Sequence, residues 1–296
     1  MLSYLDKILR NKKVVPYIFI APFLMMFSIL MLWPIIYSFF LSFHQWSGIG
    51  DITFIGLANY LRLIRDPRFL RSLYNTVYYV AVSVSLQISI GLVVALALNS
   101  KLLKLREMFR VLLFSPVVVS TVAITITFSL IYDADYGLLN WFLGWFGFEG
   151  VAWLGRPRWA LPAIILLAVW RYTGLTVVYF LAGLQSISKE LYESARVDGA
   201  DIWQQFKYIT IPGLRHTLAF VTIVSIINSF MVFVEPYILT GGGPAFSTNT
   251  ISLYLYQMGF RYGEFGYASA IGYSLVLIVF VLSLMQLKFF RIYEED

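Results

Sequence analysis

The stretch Trp159–Leu184 reads WALPAIILLAVWRYTGLTVVYFLAGL, and Arg171 is its single charged residue. About 20 mostly apolar residues are enough for an α-helix to cross the hydrocarbon core of a bilayer. The stretch is too long and too uniformly apolar for a core helix of a water-soluble protein, so it is predicted to be a transmembrane helix. Five other stretches pass the same test: Pro16–Phe43, Tyr74–Asn99, Val111–Tyr132, His216–Tyr237 and Phe265–Leu287.

The overall composition supports this interpretation. The chain is 59% hydrophobic and 13% charged, whereas a soluble domain is about 45–50% apolar and about 25% charged. This excludes an ordinary cytosolic enzyme and a disordered chain. The chain has no Cys, so disulfides, thiolate metal sites and thiol nucleophiles are also excluded. The predicted fold class is therefore an all-α polytopic membrane protein with six transmembrane helices.

The positive charges predict the orientation. The net charge is +6, and the amino-terminal tail, two loops and the carboxyl-terminal tail on one side carry 14 Lys and Arg residues, against 7 on the other side. Short loops rich in Lys and Arg stay in the cytoplasm, so both termini are predicted to be cytoplasmic. The basic balance then needs no nucleic-acid partner. The predicted organisation is a cytoplasmic tail 1–15, a membrane domain 16–290 and a cytoplasmic tail 291–296.

Two segments allow more than one interpretation. Residues 236–260 carry no charge, but the run TGGGP at Thr240–Pro244 would break a helix. We interpret the segment as an outer loop with a short re-entrant or interfacial helix, since a true span would place the carboxyl terminus outside. The amphipathic stretch Tyr60–Leu73, with an Arg roughly every third residue, is predicted to be a surface helix at the outer interface or a solvated connecting helix.

The longest inner loop, residues 185–214, is polar and has its own helix signals. Ser188 can cap a first short helix, and Gly199 would interrupt it. Asp201 and Gln204 have the spacing of a capping box that begins a second helix, and Pro212 would stop that helix. The sequence thus predicts a helix–turn–helix on the inner face, which either docks on a partner or is a solvated loop.

Within this loop, Glu193-Ser194-Ala195 is followed after three residues by Gly199 and after nine more by Ile209-Thr210-Ile211-Pro212. This pattern resembles the EAA loop of permease subunits in bacterial ABC importers, with Ser194 and Ile211 as mild departures. Further motifs resemble carbohydrate-uptake permeases of the maltose-transporter type, in the subunit that pairs with a second, different permease. These motifs are Gly56–Tyr60, Tyr237–Pro244 and Tyr262–Ala270.

The resemblance implies a type I ABC importer permease fold and a division of labour. The chain has no G-x-x-x-x-G-K-S/T loop to hold nucleotide phosphates, so it is expected to be a transport subunit without enzymatic activity or a cofactor of its own. ATP and Mg²⁺ would be bound by two ATPase subunits, and an external solute-binding protein would deliver the substrate. The setting would be the bacterial cytoplasmic membrane. The residues expected to couple to an ATPase are Glu193, Ser194, Ala195, Asp198, Gly199 and Pro212.

A substrate path is expected around the fourth and fifth stretches. An Arg at the centre of a membrane helix costs about 2.5–3.5 kcal/mol on insertion scales, so Arg171 should face a cavity or a partner, and pairing with Glu235 is one possibility. By resemblance to the maltose permease, sugar-lining positions fall at Ala168, Arg171, Tyr172 and Leu175, and around Asn228, Ser229, Phe233 and Glu235. Alternatively, these residues pack or face lipid, or the second permease holds all sugar contacts.

The predicted function is half of the translocation pore of an ATP-driven importer for a sugar, in particular an oligosaccharide. Glycerol phosphate or a polyol phosphate is the alternative substrate, because Arg171 could meet an anion. An ion-coupled secondary carrier would need intramembrane carboxylates, and the later spans offer only Glu235. An intramembrane enzyme is disfavoured, since the two His residues lie far apart in the sequence.

Overall fold

The computed structural model describes residues 15–100 and 105–290, and these residues are predominantly helical. The predicted tails 1–15 and 291–296 therefore lie almost entirely outside the described residues, as do Lys101 and Lys104. The helices are α1 Val15–Phe27, α2 Trp33–Ser42, α3 Ala58–Arg65, α4 Pro67–Asn99, α5 Arg106–Val118, α6 Thr121–Ile131, α7 Leu138–Trp145, α8 Pro157–Ser186, α9 Lys189–Val197, α10 Ile202–Gln205, α11 Ile211–Gly213, α12 Arg215–Phe230, α13 Val234–Thr240, α14 Ile251–Tyr256 and α15 Phe265–Phe289. Three π-helical turns, Ser28–Leu32, Phe206–Thr210 and Gln257–Arg261, lie between them, and β1 His44–Gln45 pairs antiparallel with β2 Thr53–Phe54.

Four helical segments of the described chain are long and apolar enough to cross a membrane: Pro16–Ser42, α4, α8 and α15. Two bent helix pairs pass the same test. Helices α5 and α6 meet at 99°, and the helical segment Ile202–Gly213 meets α12 at 63°. With each bent pair counted as one span the chain has six, the predicted number, and the all-α membrane fold is confirmed.

The third span, predicted over Val111–Tyr132 with Pro116 inside it, is broken into two helices. Helix α5 ends at Val118, and Val119 is extended, with φ −75° and ψ 146°. Pro116 lacks the N–H that would reach the Leu112 carbonyl, and the Ser115 hydroxyl donates to that carbonyl instead, at 2.9 Å. The last turn of α5 therefore lacks a backbone bond immediately before the chain turns.

The fifth span is also interrupted, where a helix over His216–Tyr237 was predicted. Helix α12 ends at Phe230 and α13 begins at Val234. Pro236 explains the break, because proline is tolerated in the first turn of a helix and not in its interior. A residue other than proline at position 236 could donate its amide to the Val232 carbonyl. In this chain the Thr250 hydroxyl donates to that carbonyl instead, at 2.9 Å.

The amphipathic stretch Tyr60–Leu73 is not one surface helix. It is divided between α3 and the first turns of α4, so the second span begins at Pro67, earlier than the predicted Tyr74. Asp66 causes the division, because its carboxylate caps α4 by accepting the Arg68 amide at 2.9 Å.

The chain forms two compact units, residues up to 62 with 257–273, and residues 63–256 with those after 273. In the first unit, the Asn59 side chain donates to the Ser42 and His44 carbonyls at 2.9 and 3.0 Å. The apolar window of Pro16–Ser42 is not buried at all within the chain. Its side chains are thus available to lipid or to another subunit.

The second unit is built around α4 and α8, with α5 and α12 against them. A core cluster joins the inner halves of these helices, and it comprises Ala95, Leu98, Val177, Phe180, Leu181, Leu184, Leu214 and Val221. Helices α5 and α8 approach very closely at Gly174, where an added Cβ would overlap the Leu113 carbonyl oxygen. Small residues permit such backbone contact between membrane helices.

The segment 241–250, predicted to lie on the outer side, is a packed loop. The Asn75 side chain donates to the Phe246 and Asn249 carbonyls at 2.8 and 3.0 Å, and the Thr76 hydroxyl accepts the Ile251 amide at 2.9 Å. Within 236–260, all of which is described, no helix passes the span test. The short helices α13 and α14 agree with a loop that carries a short helix, and a seventh span is excluded.

Candidate functional site

A cavity of about 220 Å³ lies between α4, α8, α12 and the start of α13. Its wall combines aromatic rings with neutral hydrogen-bonding groups, the mixture that recognises a small polar molecule. The polar and aromatic lining residues are Tyr79, Gln87, Thr121, Tyr172, Thr176, Tyr179, Ser225, Asn228, Ser229, Phe233 and Glu235.

The structure separates the eight predicted substrate-path residues into two groups. Six of them line the cavity: Tyr172, Leu175, Asn228, Ser229, Phe233 and Glu235. Ala168 is fully buried and Arg171 is 4% exposed, and neither is part of the lining. On α8 the cavity is lined by Tyr172, Leu175, Thr176 and Tyr179. Ala168 lies on the same helix face one turn before Tyr172, where other segments cover it, and Arg171 is turned to the side of that face.

Arg171 connects α8 to both interrupted spans. Its Nη2 donates to the Val119 carbonyl, in the break between α5 and α6, at 3.2 Å. Its Nη1 lies 3.7 Å from Glu235 Oε1, in the first turn of α13, and both side chains are about 95% buried. The guanidinium also stacks on the Tyr172 ring, 5.0 Å from its centroid. The pairing that the sequence allowed is therefore present, and it holds two helix breaks together.

Arg171 is not fully satisfied by these contacts. Its Nε and Nη1 are buried without a hydrogen-bond partner, since the Glu235 oxygen is beyond hydrogen-bond distance. A buried cation normally pairs with an anion or loses its charge. Glu235 supplies the opposite charge, but the N–H groups at Nε and Nη1 of Arg171 make no hydrogen bond.

Several lining residues were missed in the sequence, among them Tyr79, Gln87, Thr176, Tyr179 and Ser225. Gln87 had a usable signal, because it is an amide in the middle of an apolar span and is 97% buried. The tyrosines had none, since the chain contains 20 of them and a ring in a membrane helix more often packs or faces lipid.

The loop 185–214 forms the predicted helix–turn–helix. Ser188 Oγ accepts the Glu190 amide at 3.2 Å and begins α9. Gly199 has φ +80°, a left-handed conformation that side chains rarely adopt. Asp201 and Gln204 form a full capping box, with bonds of 2.7 and 2.8 Å. The predicted signals for these two helices are thus confirmed.

The predicted role of Pro212 is wrong in one respect. The helical path begun by α10 continues through the π turn Phe206–Thr210 and α11, and it bends only at Leu214. The wider π turn comes just before Pro212, whose ring would crowd the carbonyl four residues back in a regular α-helix. Pro212 is therefore inside the helical path, and the bend follows it by two residues.

The predicted coupling residues lie together on this loop. Glu193, Ser194, Asp198, Gly199 and Pro212 are exposed, and Ala195 is half-buried. Ala195, Asp198 and Gly199 border a groove between the two helices, and the Tyr192 and Thr210 hydroxyls join those helices at 2.9 Å. The loop also exposes large apolar side chains, namely Leu191, Val197, Ile202, Trp203 and Tyr208.

The described residues contain no group of three or more His, Asp or Glu side chains that could hold a metal ion. The cavity is a polar hollow between helices, and the loop 185–214 exposes an apolar surface.

Comparison with known proteins gives consistent matches. Residues 87–291 match the family model described as binding-protein-dependent transport system inner membrane component. The arabinooligosaccharides transport system permease protein AraP of Halalkalibacterium halodurans is 38% identical, over 96% of this chain and 90% of that protein. The lactose transport system permease protein LacF of Rhizobium radiobacter is 39% identical, over 91% and 92%.

Among solved structures, a chain of a bacterial alginate ABC transporter in complex with an alginate pentasaccharide-bound periplasmic protein superposes with a TM-score of 0.81, at 25% identity and 93% coverage of each chain. The resemblance indicated by the sequence motifs is therefore confirmed, and with it the fold. The chain belongs to the family of binding-protein-dependent transport system inner membrane components, the integral membrane permeases of ABC transporters.

Proposed function

We propose that this chain forms half of the translocation pore of an ATP-driven importer for a sugar, in particular an oligosaccharide. The observation that carries the proposal is the loop 185–214, a rigidly capped helix–turn–helix with exposed apolar side chains. Exposed apolar patches rimmed by polar groups mark sites of protein association. A membrane chain without a nucleotide-binding loop needs such a surface to contact the subunit that hydrolyses ATP.

The proposed substrate class follows from relatives and from the cavity. The relatives AraP and LacF are named for arabinooligosaccharides and lactose. The cavity offers rings for the apolar faces of a sugar and neutral hydrogen-bonding groups for its hydroxyls. The substrate path would include Tyr172, Leu175, Asn228, Ser229, Phe233 and Glu235, with Ala168 and Arg171 supporting that wall.

The proposed assembly contains this chain, a second and different permease, and two ATPase subunits that bind ATP and Mg²⁺. Glu193, Ser194, Ala195, Asp198, Gly199 and Pro212 would contact one ATPase. An extracellular solute-binding protein would present the sugar to the outer loops, as a periplasmic protein accompanies the alginate transporter. The membrane domain 16–290 would lie in the bacterial cytoplasmic membrane with both termini in the cytoplasm.

A secondary carrier is less well supported by the geometry. Coupling to protons or ions uses intramembrane carboxylates that change their charge during the cycle. In the described part of the cavity wall, Glu235 is the one carboxylate, and it faces Arg171 at 3.7 Å.

The test uses the whole transporter in proteoliposomes, with Gly199→Val compared with Gly199→Asn. An added Cβ at Gly199 meets no atom within 4 Å, so valine is disfavoured by its backbone conformation and by the docked partner, while asparagine tolerates a left-handed conformation. We expect valine to abolish sugar-stimulated ATPase activity and uptake while the protein still inserts, and asparagine to retain much of both. Uptake by this chain without ATPase subunits would contradict the proposal.

A further inference from the structure

The charged groups in and around the cavity are few. Of the described side chains that line it, Glu235 carries the one formal charge, and the other polar groups are hydroxyls and amides. The nearest cation, Arg171, lies behind the wall and is 96% buried. Of this pair, Glu235 belongs to the cavity lining and Arg171 does not.

The direction of this pair matters for the substrate. A sugar carboxylate or phosphate in the cavity would meet the Glu235 carboxylate before it reached the guanidinium. Like charges repel strongly at short range inside a protein, where the effective dielectric constant is lower than in water. A neutral sugar has no such penalty, because hydroxyls can pair with groups such as Asn228 and Ser229.

Resting on the proposed function, we infer that the Arg171–Glu235 pair selects neutral saccharides and excludes anionic ones. Glu235 is the specificity-determining residue, and Arg171 is a positioning residue that holds the carboxylate at the start of α13. This assigns the chain to neutral oligosaccharides and excludes both acidic polysaccharide fragments and polyol phosphates.

The unused donors of Arg171 make the inference testable. Nε and Nη1 lack hydrogen-bond partners, so Glu235→Gln would leave a cation with available donors beside the cavity. Arg171→Gln removes the same ion pair and instead leaves the carboxylate alone. A purely structural role predicts the same effect of both changes, whereas a charge filter predicts opposite effects on anions.

The experiment measures direct binding to the purified transporter without its solute-binding protein, so that the selection made by that protein does not intervene. Equilibrium dialysis would use labelled arabinotriose as the neutral probe and an alginate trisaccharide as the anionic probe. The wild-type complex should prefer arabinotriose. In Glu235→Gln the affinity for the alginate fragment should rise about tenfold or more, while Arg171→Gln should bind it no better than wild type.

Glu264→Gln is the matched control, because Glu264 also pairs with an arginine, Arg62, but is partly exposed in the other unit. It should change neither affinity. If a single variant fails to assemble, the double variant Arg171→Gln/Glu235→Gln is measured instead. It lacks the carboxylate that lines the cavity and should discriminate less against the alginate fragment than wild type does.

The outcomes separate the two proposals. If neutral sugar binds but Glu235→Gln leaves the ratio of affinities unchanged, the role of the pair is overturned and the importer stands. A double variant that discriminates against the alginate fragment as strongly as wild type would overturn it equally. If the wild-type complex prefers the alginate fragment, the neutral substrate class is wrong. Failure of any sugar to bind or to stimulate the ATPases would remove the proposed function itself.

Discussion

The loop 185–214 and the membrane cavity satisfy their polar groups in opposite ways. In the loop, Ser188 and Asp201 bond to amides two and three residues ahead, and the surface between them is exposed. In the cavity wall, Arg171 reaches a carbonyl 52 residues away and a carboxylate on another helix. The loop is stabilised by hydrogen bonds between neighbouring residues and leaves its surface exposed. The cavity wall is stabilised by contacts between residues that are far apart in the sequence.

This difference predicts where substitutions act. A change in the cavity wall should reduce the stability of the fold, because it leaves a buried group without its partner. A change on the loop surface should leave the fold intact and disturb the contact with a partner. The following substitutions test that division.

The largest effect is expected from Arg171→Met, which leaves the Glu235 carboxylate buried and unpaired. Breaking a buried pair on one side costs about 3–5 kcal/mol, and the free energy of unfolding of the purified transporter in detergent should fall accordingly. The double variant Arg171→Met/Glu235→Leu should recover most of the loss. The control is Arg62→Met, whose partner Glu264 is 39% exposed, so its loss should stay below about 1 kcal/mol. Equal losses of unfolding free energy in the Arg171 and Arg62 variants would contradict the proposed difference between the cavity wall and an exposed ion pair.

A smaller loss is expected from Gly174→Ala, which adds one methyl group where α5 and α8 touch. The new Cβ would overlap the Leu113 carbonyl oxygen, and forcing a packed backbone apart costs about 1–3 kcal/mol. Gly144→Ala is the matched control, since a Cβ there meets nothing within 4 Å. Denaturation of the two variants in parallel would show the difference, and the absence of a difference would mean that α5 and α8 are less tightly packed than the structure shows.

The same contrast explains what the sequence could predict. The six spans follow from apolar length, and the two helices of the loop follow from caps within three residues of the groups they bond. The breaks at Val119 and Met231 were missed, although Pro116 and Pro236 stand close to them. Proline marks a weak point in a helix, but whether the chain turns there depends on hydroxyls and charges brought by other segments, such as Thr250 and Arg171.

The cavity shows the same limit. The sequence indicated which two spans carry polar groups, and it located Tyr172, Asn228 and Ser229. It did not indicate that Arg171 is buried beside Glu235 and is not itself part of the lining. That placement depends on segments far apart in the sequence, so no local pattern encodes it.

Asp201→Ala should have a moderate effect confined to the loop. Loss of an N-cap costs about 0.5–2 kcal/mol, here at the start of the short helix α10. Hydrogen exchange should speed up at residues 202–205 and remain unchanged in α8. Asp201→Asn should restore most of the protection, since an asparagine can also cap. Faster exchange spread over the cavity wall would show that the two regions are energetically linked.

The smallest effect on stability, with a clear effect on function, is expected from Trp203→Ala. Trp203 is 69% exposed, and substitutions at such positions change the free energy of unfolding by about 0.5 kcal/mol or less. If the ring docks on an ATPase, sugar-stimulated ATPase activity should fall at least severalfold, because buried aromatic anchors dominate interface energies. Tyr136→Ala is the control, since Tyr136 is 93% exposed and lies on the predicted outer side. Equal activity in both variants would mean that Trp203 does not contact a partner subunit. The loop 185–214 and the cavity wall would then differ only in how strongly their substitutions change the stability of the fold.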